Sequence, residues 1–310
     1  MNQISKTSHN ESSEIDLNLL VSFFWKNKII FCLIITTFTI ISLIYSLSLS
    51  NFYTSQSLLA PTEKEDSLSS KLGSYSSLTG LAGVNLLNEN SSNATEAIER
   101  IKSFEFFSKY LLPNIKLENI MAIKDWDLIT NTLIYDKKLY DEESGEWTRK
   151  FSHTQSRVPS QQETFKIFLN SLNISVDKDT SFVTIKVRHQ SPYVAKKWLE
   201  IIIFNINESM RSQDIRSSEA SIDFLNKTQK LTKIQSIKDA ISSLQETQMQ
   251  TLMLASSNEA YVFKVIDSPI APETKSSPNR FFICILGGMF GFFFSIFIIL
   301  FRNLKNTSTL

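Results

Sequence analysis

Three histidines, two cysteines, seven glycines and seven prolines are few for 310 residues, and each scarcity removes a class of function. His9, His153 and His189 stand far apart, with no Cys or His at ligand spacing, so no metal site is expected. No glycine follows Gly291 and no G-x-x-x-x-G-K-[ST] occurs, so a nucleotide cofactor and an attached kinase are excluded. The formal net charge of +1 leaves nothing to neutralise phosphates, and nucleic acid is excluded as a partner. Asp141, Glu142 and Glu143 beside Gly145 read as a solvated turn rather than half of a glycosidase pair. Triplets such as Asn93-Ala-Thr arise by chance in a chain rich in Asn and Ser. No catalytic, cofactor-binding or metal-ligating constellation remains.

What the chain does have is two long apolar runs. No charge occurs between Lys28 and Glu63, and residues 29–49 are almost continuously apolar; a second run, 281–301, lies between Arg280 and Arg302. Each matches the ~20 residues that a helix needs to cross ~30 Å of hydrocarbon. The first is too long for a signal-peptide core and is followed by a poor cleavage site at Ser48-Leu49-Ser50; the second is apolar all round, unlike a buried core helix. Two spans put both tails, 1–28 and 302–310, on one side, with residues 50–280 on the other. Lys26, Lys28, Arg302 and Lys305 favour a cytoplasmic location for the tails, against Lys275 and Arg280 on the far side. Cys32 and Cys284 then sit near opposite faces of the membrane, too far apart for a disulfide. Gly287, Gly288 and Gly291 form a G-x-x-x-G face that predicts close packing with another helix of this chain, of another copy or of a partner.

Between the spans the pattern is mixed. Asn51 to Leu59 predicts a short strand ending at Pro61, and a Ser/Gly-rich stretch, 71–93, reads as a loop with Gly73, Gly80 and Gly83. Ile98, Ile101, Phe104, Phe107 and Leu111 predict a helix over 94–112, closed by Pro113. Leu172, Ile174 and Val176, a turn at Asp177, then Val183, Ile185 and Val187 predict a hairpin; Ser191-Pro192 opens a helix burying Trp198, Leu199, Ile202, Ile203 and Ile206. No Gly or Pro occurs between Pro192 and Pro269, which predicts a long helix over about 211–256. Ile234, Ile237, Ile241 and Leu244 give it a heptad seam. At ~1.5 Å per residue that helix outgrows a compact domain and projects. Its seam then needs a second helix of this chain or the same helix of a neighbour. Residues 261–267 predict a strand, and Pro269, Pro272 and Pro278 an extended return over 268–280. The fold class is therefore α+β, with two transmembrane helices flanking an α/β base that carries a long projecting helix.

Several segments, in order along nearly the whole chain, resemble the Wzz-type chain-length determinants, or polysaccharide co-polymerases. They are Glu14-Ile-Asp-Leu, Trp147 in Gly145-Glu-Trp-Thr-Arg, Ser191-Pro-Tyr-Val-Ala-Lys-Lys-Trp198, Leu252-Met-Leu-Ala, Tyr261-Val-Phe-Lys-Val-Ile-Asp267 and the three prolines before Phe281. The resemblance implies a homo-oligomer of the Gram-negative inner membrane with a periplasmic base. It also implies that the protein is not an enzyme: it would work with a membrane polymerase and a lipid-linked glycan and set the chain length of O-antigen or a related polysaccharide. The alternative within the resemblance is a co-polymerase or adaptor for capsule or exopolysaccharide export beside a separate tyrosine kinase. Lys275 and Arg280 would touch lipid or undecaprenyl phosphates, or serve as plain flanks. A signalling receptor is disfavoured by the short tail 302–310, and an efflux adaptor by the second span.

Overall fold

A computed structural model of the chain describes residues 27–62, 89–151, 156–257 and 260–307, with side chains throughout except at 89–92, 300 and 302–307. The segment Glu14–Leu17, His9, Lys26, His153, the glycines at 73, 80 and 83, and the tails 1–26 and 308–310 lie outside the described residues. The chain divides into two units, residues 51–277 and the pair of segments 1–50 and 278–310.

The larger unit is α+β. Its four-stranded antiparallel sheet has the order β6-β7-β1-β8, from β1 (Tyr53–Pro61), β6 (Leu172–Val176), β7 (Val183–His189) and β8 (Phe263–Asp267). Alternation places Val183, Ile185 and Val187 on one face. The register Ser57↔Ile185 and Leu59↔Val183 puts Ser55, Ser57 and Leu59 of β1 on the same side, all buried. The turn before β7 is built by Asp177, whose Oδ1 accepts from the Asp179 and Thr180 N–H groups, with Ser181 at φ 60°. Two small hairpins lie outside this sheet: β2 (Ile123–Asp127) with β3 (Thr132–Tyr135), and β4 (Tyr140–Asp141) with β5 (Glu146–Trp147).

Helices cover the buried face. α1 (Lys28–Ser48) belongs to the other unit; α2 (Glu89–Ile101) and α3 (Phe104–Phe106) lead through a π turn, Phe107–Leu111, and a 3-10 turn, Leu112–Asn114, to α4 (Glu118–Met121) and α5 (Gln161–Ser171). The single helix expected over 94–112 is broken because Ser103 leaves helical geometry and its hydroxyl accepts from the Phe106 N–H, starting a new turn. Glu89 to Asn93, expected as loop, is helical.

The long helix also differs from expectation. α6 runs from Pro192 to Leu231, and α7 from Gln235 to Ser257 folds back along it. The break falls at Thr232, φ −86° and ψ 130°, whose N–H and hydroxyl both donate to the Thr228 carbonyl at 3.1 and 2.9 Å. The helix thus ends without Gly or Pro, at a residue whose backbone turns extended. At ~1.5 Å per residue α6 is ~60 Å long. Its first half, to Met210, buries Trp198, Leu199, Ile202, Ile203 and Ile206 in the core, and its second half packs along α7, joined by Gln229–Ser242 and Asn226–Gln245 hydrogen bonds.

Asn207 locks α6 to the sheet. Its Oδ1 accepts from the Val262 and Phe263 N–H groups at 2.8 and 2.9 Å, and its Nδ2 donates to the Phe263 carbonyl at 3.1 Å, so the side chain acts as one more residue of backbone beside β8. Removing it leaves buried polar groups unsatisfied. Asn207→Ala is expected to lower stability by about 2–3 kcal/mol, measured by chemical unfolding of the detergent-solubilised full chain followed by tryptophan fluorescence.

The smaller unit is a helix pair, α1 and α8 (Arg280–Thr307), antiparallel because Ser42 meets Ile283 while Phe38 meets Gly291.

Candidate functional site

Both helices of the pair are long and apolar enough to cross a membrane over Lys28–Ser48 and Arg280–Ile299. Only 6% and 17% of these stretches are buried within the chain, whereas the core helix of a water-soluble protein is mostly buried. Phe281, Phe290, Phe293 and Phe297 point outward, as lipid contact requires. The buried seam is made by small residues. A Cβ on Gly287 would lie 2.3 Å from the Ser42 Cβ, and one on Gly291 2.9 Å from the Phe38 Cβ and 3.1 Å from the Ile35 Cα. Gly288 faces Thr39 with more room, 3.6 Å. Dispersion across this close approach is joined by a hydrogen bond from the Ser42 hydroxyl to the Ile283 carbonyl at 2.8 Å. Of the three partners open to the glycine face, this structure places it against α1.

In the larger unit the proline-rich return is laid along β1. Prolines carry no N–H, so a ladder cannot continue past β8 on backbone groups alone. β1 supplies side chains instead: the Ser57 hydroxyl donates to the Asp267 carbonyl at 2.6 Å and that of Ser55 to Ile270 at 2.8 Å, while Thr54 shares a bond with Ser276 at 2.7 Å. Phe52 and Ser277 then exchange a backbone bridge. Pro269 and Pro272 thus lie in a segment stapled to β1 by hydroxyls, and Pro278 follows it. Sequence reasoning missed this role; the run of hydroxyls at 54, 55 and 57 was the available signal.

The predicted seam is not gathered into one contact. Ile241 is buried at 5% exposure, whereas Ile234, Ile237 and Leu244 stand at 59%, 44% and 54%. α6 covers one of the four.

The titratable groups show structural roles. Asp141 holds a turn: its carboxylate accepts from the Ser144 hydroxyl and the Glu143 N–H, and these bonds, led by Ser144, lower its pKa, opposite to what a general acid needs. Among the described residues no three His, Cys, Asp or Glu side chains are grouped to hold a metal ion. Cys32 and Cys284 are free thiols. His189, 3% exposed at the end of β7, accepts from the Ser191 N–H at Nδ1 (2.9 Å), so the neutral ring donates from Nε2 to the Asn119 carbonyl (3.0 Å). The Trp198 ring packs 4.7 Å away. Burial pushes the His189 pKa from 6.5 down to about 4.

A group whose folded pKa is depressed below its unfolded value favours folding when deprotonated. Stability from His189 is full above about pH 6.5 and declines as pH falls toward 4. Thermal unfolding is expected to show a loss of about 2 kcal/mol between pH 7.5 and pH 5, absent in His189→Gln. For the helix pair, a Thr39→Cys, Gly288→Cys chain lacking Cys32 and Cys284 is expected to oxidise to a disulfide. Adding Gly287→Leu, which cannot fit beside Ser42, lowers that yield several-fold, read by gel mobility.

Residues 13–112 match the family model described as Wzz, chain length determinant protein, a stretch that takes in α1, β1 and α2 and amounts to a third of the chain. No curated protein sequence matches the chain. Among solved structures, a full-length bacterial polysaccharide co-polymerase is similar over 94% of this chain and 99% of its own, at 13% identity and a TM-score of 0.41. A fragment of WzzB, a polysaccharide co-polymerase from Salmonella Typhimurium, is similar over 73% and 100%, at 11% identity and a TM-score of 0.31. The similarity to the Wzz chain length determinant model thus runs from ahead of α1 to the turns after α2.

Proposed function

We propose that this protein is a non-enzymatic scaffold of the Gram-negative inner membrane that sets the chain length of O-antigen or a related surface polysaccharide. The observation that carries the reading is the family match over residues 13–112, laid on a chain whose two apolar helices bracket an α+β unit with a long helical hairpin. Several copies associate in the bilayer, with the base on the periplasmic side and the tails in the cytoplasm. The assembly holds a membrane polymerase and its lipid-linked glycan together, so the number of units added depends on how long that association lasts. In this reading Gly287, Gly288 and Gly291 pack the anchor. The segment with Pro269, Pro272 and Pro278 returns the chain to it; of the seam of Ile234, Ile237, Ile241 and Leu244, Ile241 packs under α6 and the three exposed residues face neighbours along the hairpin.

Regulation without bond making has a distinct signature. Deleting the gene in its host is expected to leave polymer synthesis running while the lengths spread, seen as loss of a modal band on a gel of surface polysaccharide. An unchanged distribution overturns the reading; complete loss of polymer would point to an enzyme of synthesis instead.

A further inference from the structure

The turn between β2 and β3 carries two apolar side chains that serve neither the turn nor the core. Ile129 is 94% exposed, the most exposed large apolar residue among those described, and Leu128 is 74% exposed. The turn itself is made by its polar residues. Asp127 accepts from the Ile129 N–H and the Thr130 hydroxyl, both at 2.8 Å, and Asn131, at φ 53°, accepts from the Trp126 indole at 2.9 Å. Leu128 and Ile129 are therefore held out by a rigid frame, in a place where Asn, Asp, Gly or Ser is the usual choice.

The position of this turn within its unit is informative. Trp126, two residues before Leu128, packs edge-on to Tyr53 at 5.4 Å and against Tyr193 at 6.1 Å. Tyr53 opens β1, and its neighbour Phe52 is bridged to Ser277, so the turn lies at the end of the unit where both chain ends leave for the apolar helices. From Asn51 back to Ser48 is three residues, a reach of ~10 Å. The same end carries cations: the Arg188 guanidinium lies over the Phe52 ring at 4.9 Å, and the Lys275 ammonium donates to Asn51 at 3.4 Å. Tyrosines behind an apolar tip, Tyr193 being 54% exposed, with Arg and Lys beside them, give the composition of a surface that meets a bilayer interface.

We propose that Leu128 and Ile129 form a third membrane contact, entering the boundary between lipid headgroups and acyl chains while Tyr53 and Tyr193 lie at headgroup level. The proposal rests on the reading that α1 and α8 cross that membrane. Burial of two such side chains from water favours the contact, in a unit already tethered at both ends.

The test uses the full chain with Cys32 and Cys284 replaced by Ala and a single cysteine introduced by Ile129→Cys, Phe293→Cys or Lys178→Cys. The thiol carries a polarity-sensitive fluorophore, and the protein is reconstituted in vesicles of phosphatidylethanolamine and phosphatidylglycerol with or without nitroxide-bearing lipids. Phe293, exposed in α8, reports on the span. Lys178, in the turn before β7 at the opposite end of the sheet from Tyr53, reports on water. The expected result is blue-shifted emission at position 129, with lipid-borne quenching several-fold above that at 178. No quenching at 129 with quenching at 293 overturns the proposal alone. A blue shift without quenching does so too, because it assigns the tip to a protein surface. No quenching at either position overturns the membrane reading and the proposal together.

Discussion

The hydrogen bonding along β1 is the constraint on which the larger unit depends. This strand pairs with β7 on one side and β8 on the other, and beyond β8 its hydroxyls hold the proline-rich return. Phe52 and Ser277, the two points where the chain leaves the unit, are thereby joined across most of the sequence. Closing so long a loop costs little more than closing a short one, because the entropy grows only with the logarithm of length, ~0.6 kcal/mol per doubling. Each bond returns ~1 kcal/mol, so a few suffice. Small polar Ser55 and Ser57 on the inner face of a central strand would be a packing loss anywhere else. Here their hydroxyls donate to the Asp267 and Ile270 carbonyls and so hold a segment whose prolines cannot donate to β1.

The elements legible in the sequence are those in which one physical rule acts alone. The apolar runs become α1 and α8 because nothing competes with length and hydropathy in setting a helix of lipid-crossing size. The hairpin of β6 and β7 follows its alternation residue by residue, since a slip of one position would turn Ile185 out of the core. Where two rules compete, the reading fails. The absence of Gly and Pro from 193 to 268 predicts a long helix over about 211–256, with room for a kink, yet the backbone turns extended at Thr232 and the chain reverses. Ser103 breaks the helix predicted over 94–112 in the opposite sense, its hydroxyl accepting from the Phe106 N–H to start α3. Such a break is a local choice, and it becomes decisive only when a tertiary partner, here α7 against α6, stabilises the return.

The membrane glycines and the heptad seam were read with equal directness and end in different circumstances. Gly287 and Gly291 owe their place to what is missing: without Cβ atoms two backbones approach, and Ser42 finds a carbonyl across the gap. The seam depends on burial, which is a property of partners rather than of spacing. Ile241 finds α6, and Ile237 and Leu244 do not. Asn207 was invisible for the opposite reason. A lone Asn on a helix carries no pattern, and only the arrival of β8, 55 residues on at Val262, makes it a structural hub.

These differences imply an uneven distribution of stability within the unit. The base end of α6 is fixed by a full core from Trp198 to Met210 and by Asn207. Past Met210 the helix retains Ser218 as its one buried residue, and α7 contributes Ile241 and Ala255. Beside Ile241 the distal hydrogen bonds between them, Gln229 with Ser242 and Asn226 with Gln245, are exposed, each of the kind that exchanges one hydrogen bond with water for another and gains little. Local opening free energy follows buried apolar contact, so the hairpin separates at its far end well before the sheet unfolds. A gradient of this form suits a device that must stay anchored at one end while adapting at the other, and it places the adaptable surface where Leu231, Ile234 and Phe224 are already exposed.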